Sequence, residues 1–349
     1  MENILVTQES VNSHKGGACS VAERLRIGII GVGGISNRHI SSFLESPDAE
    51  IAALVDTDSA RFQAIKERSP ELVDVPVYNN YKDMIALGGI DAVVISTPHT
   101  LHYQQTIDSL NAGFHVLIEK PMVCTTPHAK SVMEKAEEVG KHVMIAYQRH
   151  FQSQYRYIKN MVSSGEIGGV TFISALQCQK WKKAVAGSWR QVPELSGGGQ
   201  LNDSGSHLLE MILWSSGLTA KSVYAYINNC DTPVDINSAL TMEFTNGAQG
   251  TISIVGDAPC WHEDFTIWGT RGVIFYRNGK LVHCNEAGET MEPADLPEGG
   301  NVDQGFCDVI LGRDKNWVPA ECGLRVIELT EAAWKSAKDG KPCDIASLG

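Results

Sequence analysis

From Arg26 to about Ala146 the chain alternates short apolar runs with amphipathic stretches, and this restricts the fold more than any other feature of the sequence. A strand covered on both faces loses its polar/apolar alternation, so the continuous runs at 27–30, 92–96 and 115–118 read as strands of a buried parallel sheet. Further strands are expected at 51–55, 75–78 and 142–146. Between them, helices are expected after residue 36, carrying Ile40, Phe43 and Leu44, and near 59–68, 81–87, 101–112 and 127–139. Parallel neighbours need a crossover connection, so the pattern predicts a doubly wound α/β layer.

The first strand-to-helix turn is Gly31-Val32-Gly33-Gly34-Ile35-Ser36. A turn free of side chains lets a pyrophosphate approach main-chain N–H groups at a helix N-terminus, where the helix dipole favours negative charge. Gly31 and Gly33 fill the first two positions of the dinucleotide fingerprint, and Ser36, small enough for close helix–strand packing, stands at the third. The competing reading is a plain tight turn. Two features favour the dinucleotide: the strand–turn–helix context, and Asp56 at the end of the second strand, at about the spacing the fingerprint requires. A carboxylate there hydrogen-bonds ribose hydroxyls and repels a 2′-phosphate, which selects NAD over NADP, although nearby Arg61 would favour NADP.

Ligands of open α/β sheets bind beyond the carboxyl ends of the strands. Ser96-Thr97-Pro98-His99-Thr100-Leu101-His102 follows the fourth strand and Glu119-Lys120-Pro121 the fifth. These read either as a proline-initiated helix and a surface charge pair, or as site loops in which Lys120 donates to a substrate hydroxyl or carbonyl. The Lys120–Pro121 bond is a candidate cis peptide, since X–Pro bonds tolerate that form at low cost.

Later, a glycine-rich loop, Gly197-Gly198-Gly199, precedes Asp203 and His207. Residues four apart share a helix face, so Asp203 could orient His207 as a general base. Alternatively, Asp203 serves the helix dipole and His207 is a core histidine. Strand-rich runs at 170–177, 222–227, 239–244, 250–255, 264–269 and 272–277, with Asn246-Gly247 and Asn278-Gly279 as hairpin turns, predict an antiparallel sheet of about six strands. A terminal helix is expected at 321–339, with Leu324, Ile327 and Trp334 on one face. The loop Trp181-Lys182-Lys183 to Trp189-Arg190 suits a sugar or polyol, whose C–H faces stack on indole, or is a solvent loop anchored by two tryptophans. Trp261, His262 and Glu263 form a second candidate contact cluster.

A net charge of -12 argues against a nucleic-acid partner. No apolar run is long enough to span a bilayer, and the polar segment 1–24 reads as a flexible extension without signal-peptide character, so a cytoplasmic location is expected. The nine cysteines contain no Cys-x-x-Cys pair, which predicts neither a disulfide framework nor a metal site. At 349 residues two domains are expected, a dinucleotide-binding domain at 25–147 and a substrate and oligomerisation domain at 148–349.

In combination these residues resemble the glucose–fructose oxidoreductase / inositol dehydrogenase / rhizopine-catabolism family. The resemblance is carried by the glycine turn, Thr97-Pro98 with His102, Glu119-Lys120-Pro121, Tyr147-Gln148-Arg149, Ser164-Gly165-Glu166-Ile167-Gly168, and the Gly197 to His207 segment. It implies a Rossmann domain followed by an α/β domain whose large, mostly antiparallel sheet forms the substrate side and often a homo-oligomer interface. It implies Lys120, Asp203 and His207 as the catalytic trio. Cofactor contacts are assigned to Gly31, Gly33, Gly34, Ile35, Asp56, Thr97, Pro98, His102, Glu119 and Lys120. Substrate contacts are assigned to Lys120, Arg149, Trp189, Arg190, Asp203 and His207. Glu210 departs from the pattern, since many relatives carry Asp there. The expected activity is hydride transfer between NAD and a secondary alcohol of a sugar, glycoside or inositol. The alternatives are an enzyme that retains its NAD for redox-neutral sugar conversion, and a non-catalytic NAD(H) sensor.

Overall fold

A computed structural model describes residues 24–348, so all but the last residue of the expected 1–24 extension lies outside the described residues. Strands β1 (Leu25–Ile30), β2 (Ala49–Val55), β3 (Val77–Tyr78), β4 (Ala92–Ile95), β5 (His115–Ile118) and β6 (Val143–Ile145) form one sheet in the order β3-β2-β1-β4-β5-β6. Every neighbouring pair is parallel. The strand order reverses between β1 and β4, the place where this topology opens a crevice. Helices α1 (Ser36–Glu45), α2 (Ser59–Arg68), α3 (Tyr81–Leu87), α4 (His102–Asn111) and α5 (Thr126–Val139) make the crossovers. Local chemistry starts them: Asp58, Asn80 and Thr125 accept main-chain N–H bonds at the N-caps of α2, α3 and α5. Burial completes them, with Ile27, Ile29, Ile40, Phe43 and all of β4 enclosed between sheet and helices.

The second half contributes α6 (Ser153–Ser163), β7 (Val170–Cys178), α7 (Trp181–Ala184), α8 (Pro193–Ser196), α9 (Gly205–Ser216), β8 (Ala220–Asn228), β9 (Asn237–Phe244) and β10 (Gln249–Val255). It continues with β11 (His262–Gly269), β12 (Gly272–Arg277), β13 (Lys280–Asn285), β14 (Thr290–Met291), α10 (Val302–Ile310), α11 (Ala320–Asp339) and β15 (Cys343–Asp344). Its sheet has nine strands, in the order β14-β13-β12-β11-β7-β10-β9-β8-β15, where sequence pattern predicts about six. The additional strands are β13, β14 and β15. The last two are only two residues long, too short to show a period, and exist because a neighbouring strand offers its edge. Pairing is antiparallel throughout except between β7 and β10.

Two segments return from the second half to the first. Near α11, Ile145 N–H donates to Val318 O, and Glu331 accepts the Thr126 N–H at 2.9 Å. Near α10, Arg313 forks onto Asp48 and Gln304 bonds both Ser46 and Asp48. These contacts dock the second half against the first. No helix among the described residues is long and apolar enough to cross a membrane, and the eight described cysteines are free.

Candidate active site

The glycine turn is built by close approach. Gly31 has φ 93°, and a Cβ there would lie 2.8 Å from Ser96 O, so the turn packs directly on the end of β4. Ser36 is fully buried and its Oγ donates to Gly33 O at 2.6 Å, which explains why a small residue fits the third fingerprint position. No side chain caps α1, and its first turn carries no acid, so its N–H groups face outward beyond Gly33 and Gly34. Ile35 stands 41% exposed beside them. Val32, Gly33, Gly34, Asn37, Arg61 and Arg68 border a cleft of about 250 Å³. Bare backbone, an uncapped helix start and two guanidiniums are the donor set a pyrophosphate requires.

Asp56 does two jobs here. Its Oδ2 accepts the Val32 N–H at 2.8 Å and its Oδ1 the Asp58 N–H at 3.0 Å, so it braces the turn and places a carboxylate beside the cleft. Arg61 lies 3.5 Å from it.

The loops after β4 and β5 are tied together by His102. Its side chain is fully buried, with Nδ1 2.9 Å from Pro121 O and Nε2 3.0 Å from Thr97 O. The ring thus braces the Thr97-Pro98 and Lys120-Pro121 loops from within and exposes no surface of its own. The Thr97 hydroxyl donates to Gln105 at 2.6 Å. Glu119 is also engaged: it accepts the Lys120 N–H and faces His39 Nε2 at 3.2 Å, while His39 Nδ1 lies 2.5 Å from Asp303 on α10. Burial opposes charge on His39, but the two acids outweigh it and raise its pKa to about 10, making an imidazolium clasped by two carboxylates. The Lys120–Pro121 peptide is cis.

Lys120 and Asp203 meet across the crevice. Lys120 Nζ is 2.7 Å from Asp203 Oδ1, while Asp203 Oδ2 accepts Trp181 Nε1–H at 2.8 Å and Arg190 Nε–H at 3.0 Å. His99 Nε2 lies 3.7 Å from the same carboxylate. Burial works against an ionised Asp203, yet the charges of Lys120, His99 and Arg190 hold it far below the ordinary carboxylate range.

This corrects the helix-face pairing of Asp203 with His207. Helix α9 begins at Gly205, so Asp203 precedes it in a turn, its N–H bonded to Gly199 O, and its side chain points at Lys120. Gly199 is obligatory in that turn, because a Cβ would sit 2.0 Å from Asp235 O; the Asp235 carboxylate takes the Gly199 and Leu201 N–H groups.

His207 is the one residue of α9 that is not fully buried; its Nδ1 is enclosed and without a hydrogen-bond partner, and its ring stands edge-on to Tyr147. Enclosure by protein, together with the Lys120 and Arg149 charges, holds its pKa well below the ordinary histidine value. It is therefore a neutral imidazole at neutral pH.

The remaining candidates divide. Arg190 stacks on Trp189 at 4.4 Å, and Trp189 packs edge-on to His99, so this loop joins the Asp203 cluster. Arg149 bonds Glu263 closely, and Glu263 also accepts the Tyr155 hydroxyl at 3.1 Å; Arg149 Nη1 remains unpartnered. Glu263 is thus an internal counter-ion, while Trp261 is 51% exposed and apart from it. Sequence reasoning overlooks His39, Asp303 and Asp235, whose partners are far away in the chain; of its two readings of Trp181, sugar contact or loop anchor, neither names Asp203, which the indole holds.

The fold and this crevice define a Rossmann-type α/β protein with a second domain built on a mostly antiparallel sheet. Residues 25–147 match the oxidoreductase family with NAD-binding Rossmann fold, and residues 155–275 match the GFO/IDH/MocA C-terminal domain. The chain belongs to the GFO/IDH/MocA oxidoreductase family. It is 28% identical to the D-glucoside 3-dehydrogenase of Escherichia coli (strain K12), over 92% of this chain and 97% of that one. It is also 28% identical to the rhizopine catabolism protein MocA of Rhizobium meliloti, over 75% and 83% respectively. Among solved structures, the WlbA dehydrogenase of Bordetella pertussis, in complex with NADH and UDP-GlcNAcA, superposes with a TM-score of 0.80 at 23% identity, covering 92% of this chain and 99% of that one.

Proposed function

We propose that the protein is an NAD-dependent dehydrogenase that oxidises a secondary alcohol of a sugar, glycoside or inositol, with 25–147 holding the dinucleotide and 148–349 the substrate. The observation that carries this reading is the crevice itself: a neutral, partly accessible His207 beside a Lys120–Asp203 ion pair, at the strand ends next to the glycine turn. The names of the relatives support the substrate class.

When bound, the nicotinamide supplies the hydride acceptor, and Gly31, Gly33, Gly34 and Asp56 are the residues that would hold the dinucleotide. His207 takes the hydroxyl proton as the C–H electron pair departs, leaving a carbonyl. Lys120 donates to the same oxygen and stabilises the developing negative charge. Asp203, held by Trp181 and Arg190, aims the ammonium group. Asp56 disfavours a 2′-phosphate and so selects NAD. The outward sheet positions occupied by Tyr226, 70% exposed, and Trp268, 45% exposed, would pair copies of the chain.

A panel of inositols, hexoses and glycosides, followed by reduced-nicotinamide absorbance with NAD and with NADP, tests the reading. Replacing Lys120 or His207 by Ala is expected to lower kcat by about 10²- to 10⁴-fold with NAD affinity retained. Wild-type kcat/KM should hold its plateau down through pH 6.5, because His207 is kept neutral. Unchanged turnover in both variants removes the proposed site.

A further inference from the structure

One helical turn beyond His207, the inner face of α9 carries a second cluster of chemistry-bearing side chains. Glu210 of α9 meets His150, in the turn that follows β6, and Cys322 at the start of α11. One ligating atom from each lies within 4.8 Å of the others, and the three residues are 1%, 0% and 4% exposed. His150 Nε2 stands 2.7 Å from Glu210 Oε1, yet neither His150 nitrogen and neither Glu210 oxygen makes a hydrogen bond. Buried polar atoms are nearly always satisfied, because leaving one bare costs its full desolvation. Nε2 and Oε1 have each other as ion-pair neighbours, but His150 Nδ1 and Glu210 Oε2 have no partner, and the enclosed place calls for an occupant.

We infer that this cluster is the binding site of one divalent transition-metal ion, best matched by zinc, with His150, Glu210 and Cys322 as its protein ligands. The donor types decide the metal class. Magnesium and calcium take oxygen ligands, whereas imidazole with thiolate selects zinc and its neighbours. Charge balances as well, since a thiolate and a carboxylate neutralise a 2+ ion and bury no net charge. Bond lengths of about 2.0 Å to nitrogen and oxygen and about 2.3 Å to sulfur require the His150–Glu210 pair to spread slightly and the sulfur to move in. Arg325 Nη2, 3.7 Å from Cys322 Sγ, supplies a donor to the thiolate from outside the ligand set. The fourth position falls to a water, for which the buried, unpartnered Tyr147 hydroxyl is a hydrogen-bonding group.

The three ligands come from elements far apart in the chain, so no spacing motif reveals them, and the sequence alone predicts no metal. An ion here ties α9 to α11 and to the turn after β6, and so fixes the helix that presents His207. The inference is independent of the dehydrogenase reading, because its readout is metal content and spectroscopy and not turnover.

The test uses the full-length protein, stripped with a chelator and titrated with zinc chloride against a chromophoric competitor, then reconstituted with cobalt(II). The expected result is one zinc per chain and a cobalt–thiolate charge-transfer band. Cys322→Ser and Glu210→Gln should each weaken zinc binding by at least about 100-fold, while Cys307→Ser, a buried cysteine of α10, leaves it unchanged. Absence of stoichiometric uptake at micromolar zinc overturns the site and leaves a direct His150–Glu210 ion pair. Uptake that survives Cys322→Ser overturns it too, by placing the ion elsewhere. If Cys322→Ser does not fold, the wild-type cobalt spectrum decides, and the lack of a thiolate band refutes the proposal.

Discussion

Asp203→Asn removes one negative charge while keeping the side chain's shape, and therefore asks which neighbour the carboxylate serves. Two unit charges at the 2.7 Å separation of Lys120 and Asp203 attract by about 6 kcal/mol at an effective dielectric constant of about 20. Desolvation and side-chain ordering offset much of that, and the Lys120 side chain is 13% exposed, so solvent screens part of the remainder. Hydrogen bonds to charged groups contribute a net of about 1.5 to 3 kcal/mol. We therefore expect Asp203→Asn and Lys120→Met to couple by about 2 to 3 kcal/mol in a double-mutant cycle. No hydrogen bond joins Asp203 to His207 among the described residues, so Asp203→Asn and His207→Phe should be additive to within about 0.5 kcal/mol. Urea unfolding of the four proteins in each cycle measures both couplings. On kcat/KM the Lys120 cycle should show a coupling of roughly 30- to 150-fold. A coupling to His207 as large as that to Lys120 would restore the helix-face pairing and refute the geometry described above.

Two further perturbations probe the crevice walls. Asp56→Ser removes the charge beside the glycine turn and should raise the NADP-to-NAD ratio of kcat/KM by about 10- to 100-fold; an unmoved ratio would mean that Arg61 governs the choice. His39→Gln breaks the clasp between Glu119 and Asp303. Because the His39 pKa is raised from 6.5 to about 10, its contribution of a few kcal/mol is fully present below pH 6.5 and is lost as pH rises through about 10. The stability deficit of the variant, measured by urea unfolding, should accordingly be larger at pH 6 than at pH 10; equal deficits would reduce His39 to a packing residue.

How much of this was legible beforehand depends on how far apart in the chain the partners lie. The parallel sheet, the glycine turn with Asp56, and the terminal helix are written in local pattern: apolar runs without alternation, a Gly-x-Gly turn between strand and helix, a 3.6-residue stripe. Burial period and main-chain sterics act over a few residues, so the sequence by itself determined these elements, while the grouping of Lys120, Asp203 and His207 was implied only by the resemblance to a family. Their pairing was not determined that way. Spacing of four suggested that Asp203 serves His207, but Asp203 lies in the turn before α9, where tertiary packing on Asp235 rotates it toward Lys120, 83 positions away. Only the tertiary structure decided that bond, the Glu119–His39–Asp303 clasp and the His150–Glu210–Cys322 cluster, because each forms between charges whose separation in the sequence carries no periodic signal.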